Sequence, residues 1–277
     1  MEAVQEFHIS EALWERIKPL MPVHVPKVHP LGCHRKRIED RDVLAAIFFV
    51  LRTGCQWKAL DVTGLVKGST AHSRYQQWVA AGVFARLWDE ALREYDEVIG
   101  LDLEWCSLDG SLHKAPLGGE KTGANPTDRG KGGVKRSLLV EAQGMPIGVE
   151  LAGANRHDLK LTDSTLASQP PTVQAARQAW QEADVEQHLC LDAGYDYREV
   201  RAIVAAHGYT AHIRPRGEEV QAKKAGQRAR RWVVERTHSW LNRYRHLLIR
   251  WAKKPENYLA MLHFSFAHLT WNCCLFG

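Results

Sequence analysis

Two stretches of the sequence decide the fold: LEWCSLD at residues 103–109 and VKRSLLVEAQGMPIGVEL at residues 134–151. The first is a short apolar run, and it predicts a buried strand that ends at Asp109. The second holds two β-rich runs on either side of a Gln-Gly pair, which is a signal for a hairpin turn. Together they predict a strand followed by an antiparallel hairpin.

Strands and helices alternate in the rest of the C-terminal region. QHLCL at residues 187–191 predicts a buried strand that ends at Asp192, and residues 209–213 favour an extended segment. Strands first in hairpin order and then alternating with helices favour an α/β fold, in which a mixed sheet is flanked by helices. Helices are predicted over residues 197–207, 228–249 and 257–275.

The first hundred residues have a helical pattern instead. Ser10 is placed to cap a short helix, and Ser69 or Thr70 to cap a later one that Gly82 closes. Several short helices, with a turn before one rich in Ser, Arg and Gln, favour a helix-turn-helix. We therefore predict a small all-α domain over residues 1–100 and an α/β domain over residues 101–277. Further helices are predicted over residues 39–51 and 84–98.

The composition is that of a folded protein without a membrane span. Of the 277 residues 45% are hydrophobic, and the net charge is +5, which permits a polyanionic partner without requiring one. No apolar run approaches the roughly 18 residues needed to span a bilayer. The N-terminus lacks a signal-peptide pattern, and the six cysteines include no CxxC pair. Reduced thiols and a cytoplasmic location are therefore expected.

Two aspartates occupy equivalent positions in the predicted sheet. Asp109, in CSLDGS, and Asp192, in LCLDAGYD, each follow a predicted strand and precede a turn that contains glycine. A carboxylate at the C-terminal end of a strand projects into the crevice where open α/β sheets bind ligands. The alternative is that each aspartate serves only its turn.

A third acid, Glu235, lies in the long helix predicted over residues 228–249. One face of this predicted helix is polar and has two arginines one and two turns before Glu235. The alternative is a solvated face with an ion pair between Arg231 and Glu235. Asp109, Asp192 and Glu235 together would suit two-metal phosphoryl transfer, because Mg²⁺ prefers hard oxygen ligands. The predicted polar face consists of Arg228, Arg231, Glu235, His238, Ser239 and Asn242.

At this point the sequence resembles the DDE transposases of bacterial insertion sequences, in the branch around insertion sequences four and five. The resemblance covers most of the chain in one consistent order. The stretches that resemble the family are RIEDRDVLAAIFFVLRTGCQW, GSTAHSRYQQWVAAGVF, SLDGSLHKA, NPTDRGKGGVKRSLLVEAQGMPIGVELAGANRHD, LDAGYD and RWVVERTHSWLNRYRHLLIRW.

The resemblance implies a ribonuclease-H-like catalytic core. Its Asp, Asp and Glu match Asp109, Asp192 and Glu235, and they would bind two Mg²⁺ ions, for which Mn²⁺ could substitute. The family's C-terminal signature of Tyr, Arg, Glu and Lys is matched at Arg231 and Glu235. The chain departs from it elsewhere: Arg228 occupies the Tyr position and Asn242 the Lys position, with Arg243 adjacent. These departures question a DNA-gripping role for the terminal pair.

The resemblance also implies double-stranded DNA as the partner, both at the terminal inverted repeats and at the target. It implies that a homodimer forms on the DNA and that the protein associates with the nucleoid when bound to DNA. Inverted-repeat recognition is predicted for the Ser/Arg/Gln-rich helix, although a core helix is the alternative. Its candidate contacts are Ser69, Thr70, His72, Arg74 and Gln76. A mobile loop over residues 115–131 and the sequence after it add Arg129, Lys131, Lys135 and Arg136, whose alternative is solvated charge.

The block GANRHD contains three further candidates, Asn155, His157 and Asp158. They are predicted to support the metals or the DNA end, or else Asp158 caps a helix.

Three other functions stay open from the sequence. One is a domesticated or inactive relative that binds DNA without catalysis, and another is a ribonuclease-H-like nuclease without strand transfer. The third is a zinc protein using His24, His29, Cys33 and His34, which lie in a Pro-rich loop without a second ligand pair at a known spacing.

Overall fold

Helices occupy the N-terminal part of the chain in the computed structural model, which describes residues 9–24, 37–213 and 232–276. Ser10 caps the first helix as predicted, since its hydroxyl accepts a hydrogen bond from the Leu13 N–H at 3.2 Å. These helices are α1 (Glu11–Ile17), α2 (Asp40–Thr53), α3 (Gly68–Ala80) and α4 (Val83–Val98).

The start of α3 differs from the prediction. Neither Ser69 nor Thr70 caps it; the helix begins at Gly68, whose N–H donates to the Asp61 carboxylate at 2.8 Å. A Cβ at Gly68 would lie 2.0 Å from the Trp57 carbonyl oxygen. Close packing on the preceding 3₁₀ turn therefore determines where this helix starts, and that contact is invisible in local sequence.

The sheet is mixed, as the fold class requires. Its strands are β1 (Trp105–Lys114), β2 (Gly123–Ala124), β3 (Gly132–Val140), β4 (Pro146–Gly153), β5 (His188–Leu191) and β6 (Thr210–Ile213). Strand β3 is antiparallel to β1 and β4, whereas β1, β5 and β6 are parallel. An antiparallel meander followed by two strands parallel to the first is the ribonuclease-H-like arrangement. The predicted α/β fold class is therefore confirmed.

The prediction that a strand ends at Asp109 is wrong. Strand β1 continues to Lys114, because it pairs with β3 from Ser107↔Val140 to Lys114↔Gly133. Strand β5, by contrast, pairs with β1 only from Trp105 to Ser107. The segment over residues 115–131 is not wholly a loop either, since it contains β2, which pairs with the beginning of β3.

Helices surround the sheet: α5 (Thr162–Ala167), α6 (Pro171–Glu182), α7 (Arg198–Ala206), α8 (Trp232–Leu241) and α9 (Pro255–Phe276). The prediction of one helix over residues 228–249 is wrong at its C-terminal end, because α8 stops at Leu241. The chain then runs beside the sheet, where Ile249 bridges Lys114 and the Arg250 N–H donates to the Lys114 carbonyl at 2.8 Å. Tertiary pairing with β1 thus ends the helix.

A continuous hydrophobic core crosses the boundary predicted at residue 100. The last helix, α9, packs on α4, where the rings of Trp88 and Phe266 lie 5.2 Å apart and those of Phe84 and Phe264 lie 5.5 Å apart. Within the described ranges, no helix has both the length and the apolar character needed to cross a membrane.

Burial keeps several histidines of the core uncharged. It lowers the pKa of His113 to about 2 and of His238 to about 3. It lowers the pKa of His246, His263 and His268 to about 4. The folded protein therefore resists protonation of these rings.

We expect the free energy of unfolding to fall as the pH is lowered from about 7 to about 5, because unfolded histidines bind protons near pH ~6.5 and these buried ones do not. Glu141 has the opposite effect on the free energy of unfolding, because burial raises its pKa to about 7. It is one group, however, against the five buried histidines. Thermal unfolding across this range measures the effect. His263→Phe, which keeps a ring against Trp88, should flatten the dependence; an unchanged slope would contradict the explanation.

Candidate active site

Asp109 and Asp192 come from two neighbouring parallel strands of the sheet. Strands β1 and β5 pair in parallel from Trp105 opposite His188 to Ser107 opposite Cys190, and the rings of Trp105 and His188 stack at 4.1 Å. Asp109 lies in β1, two residues after the last of these pairs, and Asp192 is the first residue after β5. Each aspartate is thus four residues beyond the Trp105–His188 pair.

Backbone N–H groups orient both carboxylates. Asp109 accepts a hydrogen bond from the Gly110 N–H at 2.8 Å, and Asp192 accepts one from the Ala193 N–H at 2.6 Å. Asp192 thereby caps the 3₁₀ turn Ala193–Tyr195. Both side chains are half-buried at the point where β5 ends, so they face a partly open surface.

The helix that contains Glu235 is anchored to the β3–β4 hairpin turn. The buried Thr237 hydroxyl donates to the Gly144 carbonyl at 2.7 Å, and the Arg236 guanidinium donates to the Gln143 carbonyl. Gly144 adopts φ +92°, a conformation that favours glycine. The predicted Gln-Gly hairpin therefore also serves as the docking point for α8.

A buried polar layer lies between α8 and β1. Ser111 and His113 are on the same face of β1 as Asp109, and Arg136 of β3 donates from Nε to the Ser111 hydroxyl at 3.2 Å. His238 of α8 is buried in this layer, and its ring nitrogens have no hydrogen-bond partner among the described residues. Burial first, and then the charge of Arg136, lower the pKa of His238 and of His113.

This layer defines where Glu235 lies. It is one helical turn, about 5 Å along the axis, before His238. Glu235 is exposed on α8, the helix that is anchored to the β3–β4 turn.

Asp158 approaches the site from the other side of β1. Its carboxylate pairs with Lys135 at 2.8 Å, and a Cβ at Gly110 would lie 2.4 Å from its Oδ1 atom. The prediction that Asp158 caps a helix is wrong, because His157 is the capping residue and accepts from the Leu159 N–H at 3.4 Å.

Tyr195 links the three aspartates electrostatically. Burial raises the pKa of the Tyr195 hydroxyl, and the charges of Asp158, Asp109 and Asp192 raise it further. Neither the Tyr195 hydroxyl nor the buried Oδ1 of Asp158 has a hydrogen-bond partner among the described residues. Tyr195 was not among the predicted site residues, although its position three residues after Asp192 was a usable signal.

The residues present fit divalent ions by the chemistry of their donors. The carboxylates of Asp109, Asp192 and Glu235 and the orphaned oxygens of Asp158 and Tyr195 are hard oxygen donors, which Mg²⁺ prefers. In the described part of the chain, no three His, Cys, Asp or Glu side chains are arranged as a ready ligand set.

Several predicted DNA contacts are in fact buried. Arg136 is 0% exposed and belongs to the polar layer, and Lys135 is buried against Asp158. Arg74 is 8% exposed and pairs with Asp40 on α2. The predictions for Arg136 and Lys135 are wrong because the sheet encloses these side chains. Arg74, although largely buried, lines a surface cleft together with Ser69 and Thr70.

The other predicted contacts lie at different places on the surface. Ser69 and His72 are exposed, and Thr70 and Gln76 are half-buried. Outside α3, the exposed candidates are Arg129, Lys131, Asn242 and Arg243.

The remaining predicted residues either lie elsewhere in the structure or fall outside its described ranges. Asn155 packs over Gly123 and Gly153, away from Asp109 and Asp192, whereas the His157 ring contacts Tyr197 edge-on at 5.7 Å. Arg228 and Arg231 lie outside the described residues, as do three of the residues considered for zinc, His29, Cys33 and His34.

Two family models match this chain, one in its N-terminal part and one in its C-terminal part. Residues 9–88 match the model described as "Putative transposase of IS4/5 family", and residues 189–270 match the "Transposase DDE domain". The second match contains Asp192 and Glu235. The chain belongs to the DDE transposases of the IS4/5 type.

Relatives from Burkholderia cepacia agree with this assignment. The chain is 33% identical over 155 residues to the putative transposase for insertion sequence element IS402, covering 56% of this chain and 71% of the relative. It is also 33% identical over 119 residues to an insertion element IS402 uncharacterized 16.2 kDa protein, covering 43% of this chain and 80% of that protein.

Solved structures with some similarity include two from the Mos1 mariner transposase. Its catalytic domain is 12% identical, with 69% of this chain and 91% of that chain covered and a TM-score of 0.31. A pre-cleavage Mos1 transpososome is 13% identical, with 96% of this chain and 85% of that chain covered and a TM-score of 0.31.

Thr237→Val should destabilise the docking of α8. The substitution keeps the shape but leaves the Gly144 carbonyl without its buried donor, at a cost of about 1–3 kcal/mol. Urea denaturation measures the loss. Ser239→Ala, an exposed change on the same helix, is the control and should cost less than about 0.5 kcal/mol. If the two variants were equally stable, the hairpin would not anchor α8.

Proposed function

We propose that this transposase cleaves DNA at the ends of its element and joins those ends to target DNA, with Asp109, Asp192 and Glu235 as the catalytic acids. The observation that supports this most directly is the parallel pairing of β1 with β5, since Asp109 and Asp192 each follow the Trp105–His188 pair by four residues. The helix that contains Glu235 is anchored to the β3–β4 turn of the same sheet. We propose that these acids, which are 83 and 43 residues apart in the chain, act together.

The proposed reaction has two displacements at phosphorus. In the first, a water oxygen forms a bond to the phosphorus at the element end, the bond from phosphorus to the 3′ oxygen breaks, and that oxygen takes a proton. In the second, the new 3′-hydroxyl loses its proton and its oxygen forms a bond to a target phosphorus, while the bond from that phosphorus to the target 3′ oxygen breaks and the released oxygen takes a proton. One phosphodiester replaces another, so no nucleoside triphosphate is consumed.

The three acids would hold two divalent ions, Mg²⁺ or in its place Mn²⁺. When bound, such a pair stabilises the attacking and leaving oxygens of an in-line displacement. The chain's own contribution is to position the ligands. The Gly110 and Ala193 N–H groups orient the two aspartates, and the hairpin turn holds the helix that presents Glu235.

Double-stranded DNA is the proposed partner, at the terminal inverted repeats and at the target. Ser69 and Thr70 line a shallow cleft of about 320 Å³ together with Arg37, and this cleft suits a phosphate of the inverted repeat. The exposed Arg129 and Lys131 would contact the backbone elsewhere. Because two ends must be joined in one event, a homodimer on DNA is part of the proposal.

Asp109→Asn, Asp192→Asn and Glu235→Gln should each reduce Mg²⁺-dependent cleavage of a duplex that contains the element end by about a thousandfold or more, since each removes a charged ligand without changing the shape. Gel analysis of cleaved and strand-transfer products measures this.

Glu97→Gln is the matched control, because Glu97 is an exposed acid that pairs with Arg93 away from the sheet. It should cleave like the parent. Parent-like cleavage by Asp109→Asn would remove that residue from the catalytic set, and cleavage without a joined product would indicate a nuclease.

Asp158 is proposed as a positioning residue. Asp158→Asn should raise the Mg²⁺ concentration required for half-maximal cleavage and lower the rate by about 10- to 100-fold, as is usual when a group beside metal ligands is lost. Gly110→Ala should act similarly, because its Cβ would displace the Asp158 carboxylate. Asp163→Asn, at an exposed acid of α5, is the control. An unchanged Mg²⁺ dependence in Asp158→Asn would contradict the role.

A further inference from the structure

Two histidines meet on one face of the sheet where β5 pairs with β6. His188 of β5 lies opposite Thr210 of β6 in the parallel register, and His212 is two residues further along β6. Residues two apart in a strand point to the same face, so both rings lie on that face. Strand β6 is the last of the described strands on this side of the sheet, and solvent reaches the pair. His212 is exposed, and the His188 side chain is 16% exposed.

The two rings direct a nitrogen towards each other. His188 Nδ1 and His212 Nε2 are 3.0 Å apart, and the ring planes are inclined at 76°. Two nitrogen ligands of one tetrahedral zinc ion, each at about 2.0–2.1 Å from it, are about 3.3 Å apart. The rings therefore need to separate by only a few tenths of an ångström to admit an ion between these nitrogens.

A carboxylate lies beside the two rings. Glu186 Oε1 is 3.8 Å from His188 Nδ1, and it accepts a hydrogen bond from the Thr210 hydroxyl at 2.7 Å. Zinc takes nitrogen and carboxylate ligands together, and a hydroxyl that donates to a ligand carboxylate orients it. The Glu186 side chain is 65% exposed and has room to turn. The two rings are thus the prearranged part of the site, and Glu186 completes it by turning towards them.

Trp105 of β1 holds both rings in place. Its ring stacks on His188 at 4.1 Å and lies 4.7 Å from the ring of His212. The Trp105 Nε1–H donates to the Glu104 carboxylate at 2.8 Å, which places a second acid next to the group. Ligands that are already oriented lose less conformational freedom on binding, so this packing favours a bound cation.

This pair is separate from the three acids in position and in chemistry. His188 is four residues before Asp192, a distance of about 13 Å along an extended strand. The ions of a two-metal catalytic pair are only about 4 Å apart. Imidazole nitrogen suits zinc and its transition-metal neighbours, whereas Mg²⁺ prefers oxygen.

We propose that His188 and His212, together with the carboxylate of Glu186, bind one Zn²⁺ ion at the β5–β6 edge of the sheet, with water completing the coordination. The ion ties the edge strand β6 to β5, the strand that ends just before Asp192. An ion that binds only the folded chain stabilises it. The proposal does not depend on the proposed function, because it requires neither DNA nor catalysis.

Calorimetric titration with ZnCl₂ of the full chain, without an affinity tag and freed of metal with EDTA, tests this. Mg²⁺ in excess keeps the oxygen sites supplied. His188→Gln and His212→Gln should each weaken the binding of one Zn²⁺ by about tenfold or more, since each removes a ligand. His188→Phe keeps a ring against Trp105 and should lose the ion equally. Glu186→Gln should cause a smaller loss.

His207→Gln is the matched control, because His207 pairs with Asp163 away from β5 and β6. It should bind zinc like the parent. Zn²⁺ should also raise the melting temperature of the parent and of His207→Gln, but not that of His212→Gln. Melting in EDTA shows that the variants are folded.

Three results would overturn the proposal. One is a parent protein that binds no zinc at micromolar free Zn²⁺. Another is zinc binding that is unchanged in both His188→Gln and His212→Gln, which would place the ion elsewhere in the chain. The third is loss of the same ion in Asp109→Asn, which would assign it to the candidate active site. Unchanged affinity in Glu186→Gln would remove that carboxylate from the site.

Discussion

The parallel register between β1 and β5 is the constraint on which the candidate site depends. The pairing runs from Trp105 opposite His188 to Ser107 opposite Cys190, and Asp109 and Asp192 each follow the last pair by two residues. A shift of one residue would move one aspartate to the opposite face of the sheet. The buried neighbours of both strands resist such a shift, because it would expose their apolar side chains. The proposed chemistry thus depends on ordinary sheet packing.

The third acid depends on a different contact. Helix α8 is held at the hairpin turn through Thr237 and lies over a buried polar layer that includes Arg136, His113 and His238. Burying a guanidinium is costly, and such groups are retained where they determine one arrangement over its competitors. Here the layer lies between the sheet and α8. Arg136 belongs to this layer, whereas Lys135 pairs with Asp158 on the opposite face of the sheet, so both are buried.

Prediction from the sequence succeeded where short-range patterns decide the outcome. The Ser10 cap and the strand over residues 188–191 were of this kind, as was the turn at Gly144. It failed where a distant segment decides. Strand β1 passes Asp109 because β3 continues beside it, and α8 ends early because Ile249 pairs with the sheet.

The sequence by itself determined the family and the order of strands and helices, and it nominated the three acids that we propose as catalytic, because motif order and hydrophobic periodicity are properties of the chain. Only the tertiary structure decided which cations are exposed and that Asp158 and Tyr195 lie near Asp109 and Asp192. It alone also brought Gln76 and Trp251 to one cleft from opposite ends of the chain. The physical reason is that burial and proximity depend on which elements pack together, and no local pattern encodes a contact between residues more than a hundred positions apart.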